Sequence, residues 1–399
     1  MELSLAKQTV IDAGKRLVET GLIARTWGNV SCRVSDTQFV ITPSGRSYDS
    51  LTPDDIVLVN IEDLSYDGDI KPSSEKGLHA QCYLLRSDVN FVIHTHQYFA
   101  SILSTVGLSL DDLSEEHSAV LGNRVPIASY GLPGTGKLRT GVANAVKDNP
   151  ESNAVIMSHH GAVCLGSDYE NAFLCAQTLE NACIEFIVKT FNARTHKNAK
   201  TFEDVLKAFE IVPWESPLDC YTSVRKDNIM TMTCGNTSID IDIATGVAVN
   251  GDEVPKTAML HRALYRERED IGCIIHSKDG ALFAASQKLS KVLHPCLDDA
   301  AQIAGVDTRI ARFRPDDTDS IKAIINNSWN RNAVLLADNG ALCFSSNEDE
   351  TEAVLTVLEK NCAAAVIGKL FGKVKNIGKA DCTIMRLVYK MKYSKKKDE

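Results

Sequence analysis

The sequence contains no stretch of about 18 or more apolar residues, so no membrane-spanning helix is expected. Its first residues, Met1-Glu-Leu-Ser-Leu-Ala-Lys7, lack the basic and then apolar layout of a secretory signal, and a cytoplasmic protein is expected. None of the 12 cysteines stands in a Cys-x-x-Cys pair. They read as buried thiols acting as small hydrophobes rather than as a zinc or disulfide framework, which also fits a reducing compartment. Positive charge is not in excess: the formal net charge is -9, which argues against a general nucleic-acid binder. One last absence disposes of a tempting motif. Gly131-Leu-Pro-Gly-Thr-Gly-Lys137 resembles a nucleotide phosphate loop, but Leu138 stands where a magnesium-binding Ser or Thr belongs. The segment reads as a mobile loop near a site instead.

What is present describes an ordinary globular protein. The chain has 399 residues, 44% of them hydrophobic and 24% charged. That suits two or three domains with cores large enough to need no staples. Apolar positions at helical spacing (Leu5, Val10, Ile11, Leu17, Val18) predict a helix over 3–20. Strand-like runs follow at Gln38–Thr42 and Ile56–Ile61, then a helix over Glu75–Leu85 and buried strands over Val89–His96 and Ala154–Ser158. A long helix is expected over about Ser167–Phe191. The stretch from Asn198 to Tyr221 changes character, with a short helical piece and then Pro213, Trp214 and Pro217. Its end, 206–220, reads as a linker between a domain over 1–205 and a second over 221–399, whose last residues, Lys392–Glu399, form a charged tail.

Beyond the linker the pattern returns. Asn153-Ala-Val-Ile-Met-Ser-His-His-Gly-Ala-Val-Cys164 resembles Asn332-Ala-Val-Leu-Leu-Ala-Asp-Asn-Gly-Ala-Leu-Cys343. Asn90-Phe-Val-Ile-His-Thr-His96 resembles Gly272-Cys-Ile-Ile-His-Ser-Lys278. His79 precedes His94 by fifteen residues, as His261 precedes His276. Such coincidences at one offset indicate an internal duplication.

The repeat isolates the chemistry. His94 and His96 flank one residue of a predicted strand, and a period of two points both imidazoles to one face. His160 ends another predicted strand. Three histidines converging at strand ends, with a fourth position open, suit a catalytic divalent metal. A lone His-x-His or His-His-Gly is weak. The second half, however, keeps the apolar surroundings while carrying Lys278 for His96 and Asn339 for His160, so packing does not demand the histidines. Glu75, at a predicted helix N-terminus, is the acidic candidate: a metal ligand, a general base, or a residue favoured there by the helix dipole. Its counterpart is Thr257 or Ala258. Ser73 and Ser74 before that helix suit a phosphate or serve as helix caps. Gly28-Asn29 and Ser44-Gly45 sit in loops where glycine permits close approach to an anion.

Together, Thr26-Trp-Gly-Asn-Val-Ser31, Ile41-Thr-Pro-Ser-Gly45, Pro72-Ser-Ser-Glu75, His94-Thr-His96 and His159-His-Gly161 resemble the class II aldolase/adducin family in order and spacing, over roughly residues 3–195. The second half, about 220–375, resembles a degenerate copy. The resemblance implies two tandem α/β domains, each an α/β/α sandwich around a central, largely antiparallel sheet. It implies His94, His96 and His160 as metal ligands, with zinc (Zn2+) favoured and manganese (Mn2+) or cobalt (Co2+) as alternatives. His159 is then the neighbour of the ligand. Glu75 matches the catalytic acid/base, which can also take the fourth metal position. Gly28, Asn29, Ser44, Gly45, Ser73 and Ser74 match phosphate-binding positions. The implied reaction is cleavage or formation of a carbon–carbon bond in a phosphorylated ketose through a metal-stabilised enediolate. A sugar-phosphate epimerase, dehydratase or decarboxylase of the same fold, and a non-catalytic adducin-like scaffold, are the alternatives. The loop over about Leu108–Lys137, with His117, Tyr130 and Pro133, has no secure counterpart in the family's pattern, and His117 lacks the following Asp of the epimerases. The family's fourfold rings imply a homo-oligomer, with a dimer of this tandem chain forming a pseudo-fourfold ring. The expected partner is a small phosphorylated sugar, with neither nucleic acid nor membrane.

Overall fold

The computed structural model describes residues 1–23, 27–211, 218–289, 291–315, 317–372 and 374–393. Thr26 of the first motif, the Pro213–Pro217 part of the linker and the tail from residue 394 lie outside the described residues. Contacts divide the chain into two units, residues 1–198 with 370–373, and residues 199–369 with 374–399. Among the described residues no helix is long and apolar enough to cross a membrane.

The first unit runs α1 (Leu3–Glu19), β1 (Asn29–Arg33), β2 (Gln38–Ile41), β3 (Val57–Asn60), α2 (Lys76–Leu85), β4 (Phe91–Thr95), α3 (Tyr98–Ser104), α4 (Glu115–Leu121), β5 (Ile127–Ala128), α5 (Gly136–Asp148), β6 (Ala154–Met157), β7 (Ala162–Gly166) and α6 (Tyr169–Thr195). Its seven strands lie in the order β3-β2-β1-β4-β7-β6-β5. Every pairing is antiparallel except β5 with β6. The central strands are buried along their whole length, as a sheet covered on both faces requires. On one face Leu78 and Tyr83 of α2 and Leu138, Val142 and Val146 of α5 pack on Phe39, Val92 and Val163. Each such side chain contributes about 1.5–3 kcal/mol by leaving water. Phe91 points to the other face and meets the ring of Tyr169 on α6 at 5.6 Å between centroids.

The expected loop over 108–137 is built differently. It contains α4, capped by Ser114, and the short strand β5. The glycine-rich segment 131–138 is part turn and part helix, because Thr135 caps α5 and Gly136 already belongs to it. Both elements of the former are too short to show a hydrophobic period.

The second unit runs α7 (Phe202–Lys207), β8 (Thr222–Lys226), β9 (Ile229–Cys234), β10 (Thr237–Asp242), α8 (Ala258–Glu267), β11 (Cys273–Ser277), α9 (Gly280–Lys288), β12 (Val292–Leu293), α10 (Asp298–Ile303), β13 (Thr308–Ala311), α11 (Thr318–Ser328), β14 (Ala333–Leu336), β15 (Ala341–Ser345), α12 (Glu348–Ile367) and α13 (Lys379–Tyr393). The sheet order β10-β9-β8-β11-β15-β14-β13-β12 repeats that of the first unit and adds one edge strand, β12. Buried polar contacts repeat too. Ser31 Oγ lies 2.6 Å from His79 Nδ1 and 2.7 Å from the Tyr83 hydroxyl. Ser223 Oγ stands 2.8 Å from His261 Nδ1 and 2.9 Å from the Tyr265 hydroxyl.

Ten of the cysteines are buried, and none is in a disulfide; only Cys220 and Cys234 reach the surface. Burial pushes the Cys32 thiol up to about 11 and Cys82 up to about 12, which keeps both as unreactive thiols.

Candidate metal centre

Three elements meet at one end of the first sheet. β4 ends at Thr95, so His94 is its penultimate residue and His96 follows just beyond the strand. His160 sits in the turn between β6 and β7. That turn has His159 in the left-handed region, at φ 63°. The next residue, Gly161, has no room for a side chain, since a Cβ there would lie 2.0 Å from the Thr95 carbonyl oxygen. The third element is α2, whose N-cap residue is Glu75.

His94, His96 and His160 form a group whose ligand nitrogens lie within 4.8 Å of one another. His94 Nε2 is 3.2 Å from His96 Nε2 and 3.1 Å from His160 Nε2. Glu75 closes the figure, with Oε2 3.2 Å from His94 Nε2 and Oε1 3.4 Å from His160 Nε2. A tetrahedral ion with ligand bonds of about 2.0–2.1 Å needs donors about 3.3 Å apart. These four distances match that spacing.

The protonation pattern fits a cation as well. Burial pushes His94 down to about 3, so its ring is neutral at neutral pH. Its Nδ1 lies 2.9 Å from the Ala162 carbonyl, to which it donates, leaving the Nε2 lone pair aimed at the group's centre. Burial opposes the Glu75 charge, and the hydrogen bonds from His160 and Asn29 favour it. A neutral imidazole lone pair and a carboxylate oxygen at 3.2 Å repel unless a proton or a metal ion lies between them.

Asn29 and His79 orient the carboxylate. Asn29 is 6% exposed. Its Nδ2 donates to Glu75 Oε2 at 3.0 Å, so its Oδ1 is left to accept from His79 Nε2. His79 Nδ1 must then accept from Ser31, and Ser31 from Tyr83. The result is one directed chain, Tyr83 to Ser31 to His79 to Asn29 to Glu75. Burial lowers His79 to about 4, so this relay is neutral up to the carboxylate. Sequence reasoning missed the chain. The one trace of it was the constant offset between His79 and His261.

Ser44, Gly45, Ser73 and Ser74 lie on two adjoining loops. The Pro43–Pro72 bridge, the Ser44 N–H to Lys71 carbonyl bond and the Ser73 N–H to Thr42 carbonyl bond tie them together. Ser73 is buried and its Oγ accepts from the Glu75 N–H, whereas Ser74 is exposed and Ser44 and Gly45 are half-buried. Gly28 has φ 117°, and a Cβ there would stand 2.6 Å from the His94 carbonyl oxygen, so glycine lets this loop pass under the strand. Asn29 differs from the other phosphate candidates in having both ends of its amide committed to Glu75 and His79. His159 turns away from the group and meets the Tyr130 ring edge-on at 5.5 Å.

The same place in the second unit is filled otherwise. Thr257 is the N-cap of α8, as Glu75 is of α2, which fixes it as the counterpart. Lys278 Nζ donates to the Leu218 carbonyl, and Asn339 Oδ1 accepts from the Leu218 N–H at 2.9 Å. His276 Nε2 donates to the Asn339 carbonyl at 2.8 Å. The turn itself is kept: Asp338 has φ 63°, and a Cβ on Gly340 would lie 2.1 Å from the Ser277 carbonyl oxygen.

Residues 8–186 and 221–366 match the family described as the class II aldolase and adducin N-terminal domain. The chain is 29% identical over 212 residues to the 5-deoxy-D-ribulose 1-phosphate aldolase of Bacillus thuringiensis serovar kurstaki, covering 53% of this chain and 98% of that protein. It is 32% identical over 180 residues to the L-fuculose phosphate aldolase of Escherichia coli K12, covering 45% of this chain and 81% of that protein. Among solved structures, an L-fuculose 1-phosphate aldolase aligns at 30% identity with a TM-score of 0.44, over 51% of this chain and 94% of that one.

Proposed function

The chain belongs to the class II aldolase and adducin N-terminal domain family, and from that premise we propose that its first unit is a metal-dependent aldolase acting on a phosphorylated ketose. The observation that carries the reading is the convergence of His96, His160 and Glu75 on His94 Nε2, each with an atom 3.1–3.2 Å from it. The aldolases to which the chain is about 30% identical supply the substrate class.

In this reading His94, His96 and His160 hold one divalent ion, zinc by the donor set, with manganese or cobalt as substitutes. When bound, the ion supplies Lewis acidity, polarising the ketose carbonyl and stabilising the negative charge left when the carbon–carbon bond breaks. Glu75 takes and returns the proton at the carbon beside that carbonyl. Asn29, held by His79, keeps the Glu75 carboxylate in register for that transfer. The hydroxyls and N–H groups of Ser44, Gly45, Ser73 and Ser74, with the close turn at Gly28, hold the phosphate dianion and so fix which bond lies over the histidines. We read the second unit as non-catalytic, because Lys278 and Asn339 are committed to Leu218.

The test joins metal content to turnover. Elemental analysis of chelator-free protein is expected to find about one zinc per chain in the wild type and none in His96→Ala, with aldehyde released from a ketose 1-phosphate by the wild type alone. A wild type that binds no metal, and gains no activity from zinc, manganese or cobalt, would overturn the assignment.

A further inference from the structure

The second unit carries a cavity of about 420 Å³ where α13 lies against the turn after α11 and the end of β15. Four cations line it, Arg268, Arg331, Arg386 and Lys390, against two carboxylates, Asp270 and Glu350. This local excess stands in a chain of net charge -9.

Arg268 and Arg331 are each paired with an acid. Arg268 makes a two-pronged pair with Asp270, at 2.6 Å on each prong. Arg331 is paired with Asp307 behind the wall, at 2.5 Å. Arg386 differs. It is 7% exposed, and its hydrogen bonds among the described residues go to carbonyl and amide oxygens rather than to a carboxylate. Its Nη1 donates to the Gln302 and Ile303 carbonyls and its Nη2 to Asn332 Oδ1, but its Nε–H is buried without an acceptor. Leaving such a donor unanswered is costly. Burial pushes Arg386 down to about 10, and Arg268 adds to that; Lys390 is lowered by burial and then by Arg386 and Arg268.

The internal repeat shows that the fold does not call for this charge. In the first unit Arg86 pairs with Asp88 as Arg268 does with Asp270, and it also bonds the Ser152 carbonyl and Asn153. There the adjoining residues are Pro150, Glu151 and Ser152, where the second unit has Trp329, Asn330 and Arg331. The changes remove an acid, add a base and add an indole that is 51% exposed. Arg386 then takes the bond to Asn332 that Arg86 makes to Asn153.

We propose that this cavity of the second unit is a binding site for a small phosphorylated anion, held by Arg386 and Lys390 with Trp329 as its flat wall. A tetrahedral oxyanion offers three or more acceptor oxygens and a charge of roughly -2, which suits a guanidinium and an ammonium that meet it together. The volume is that of an ordinary small-molecule pocket. The site is independent of the aldolase reading, since it uses no residue of the first unit.

The experiment titrates the full chain with pyrophosphate at constant ionic strength, followed by calorimetry and tryptophan emission. Saturable binding with an emission change is expected. Trp329→Phe should keep the heat and lose the emission change. Lys390→Glu, at an exposed position that leaves folding intact, should bind at least about tenfold more weakly. Arg386→Gln should do the same if its melting matches the wild type. No saturable binding would overturn the proposal. So would Lys390→Glu binding as tightly as wild type, the result expected if pyrophosphate sat on the serine and glycine loops of the first unit instead.

Discussion

His94 and His276 occupy the same position on corresponding strands, and both are buried, yet they serve different neighbours. His94 faces two imidazoles and a carboxylate whose lone pairs converge. His276 donates to a backbone carbonyl, and the residues beside it reach for Leu218. The contrast separates what the fold needs from what the chemistry needs. The Ser–His–Tyr contact, the Arg-x-Asp pair and the left-handed turn occur in both units and belong to the fold. The triad of histidines, Glu75 and Asn29 occur in one.

If that division is right, Glu75→Gln gives the largest effect. Turnover should fall by about 10²–10⁴-fold while zinc content holds, and wild-type turnover would remove Glu75 from the reaction. Asn29→Ala comes next. It breaks the link between His79 and the carboxylate, so kcat should drop by about 10–100-fold with metal retained; an effect on KM alone would instead make Asn29 a phosphate contact. The third expectation concerns stability and the second unit. Burial, and then His276, lower His261 to about 3 from an ordinary value near 6.5. The unfolded chain therefore takes up a proton that the folded one refuses. This residue's contribution is whole above about pH 6.5 and is lost as pH falls toward 3, by about 1.4 kcal/mol per unit. His261→Gln should flatten the acid limb of a denaturation series relative to wild type, and an unchanged slope would contradict the assignment. The smallest effect is expected from Asn339→Ala. It should cost about 1 kcal/mol by freeing the Leu218 N–H and leave zinc content and turnover as they were. A loss of activity there would show that the second unit takes part in the reaction.

The sequence made the skeleton of this comparison visible. His-x-His near a strand end and a histidine before the β7 strand are local patterns, and the repeat supplied a control for them. Helices α1, α2 and α6 announce themselves by period and cap. The relay through Asn29 was hidden because it depends on register: β1 pairs with β4 so that Asn29 stands opposite His94, which lies far along the chain from it. The part Leu218 takes was hidden too, since it lies where the chain has no period and its bonds are to backbone groups that every residue possesses. Short elements such as α4 and β5 carry too few residues to declare a face.

The turn before β7 and β15 has a longer reach. Histidine and aspartate both sit in its left-handed position, histidine and asparagine both stand at its tip, and a glycine follows in each unit. A socket that holds either pair on one backbone lets both side chains be exchanged without a change of fold. The same tolerance runs backward. In the second unit that turn is a place where an engineer could seat new side chains without disturbing the sheet.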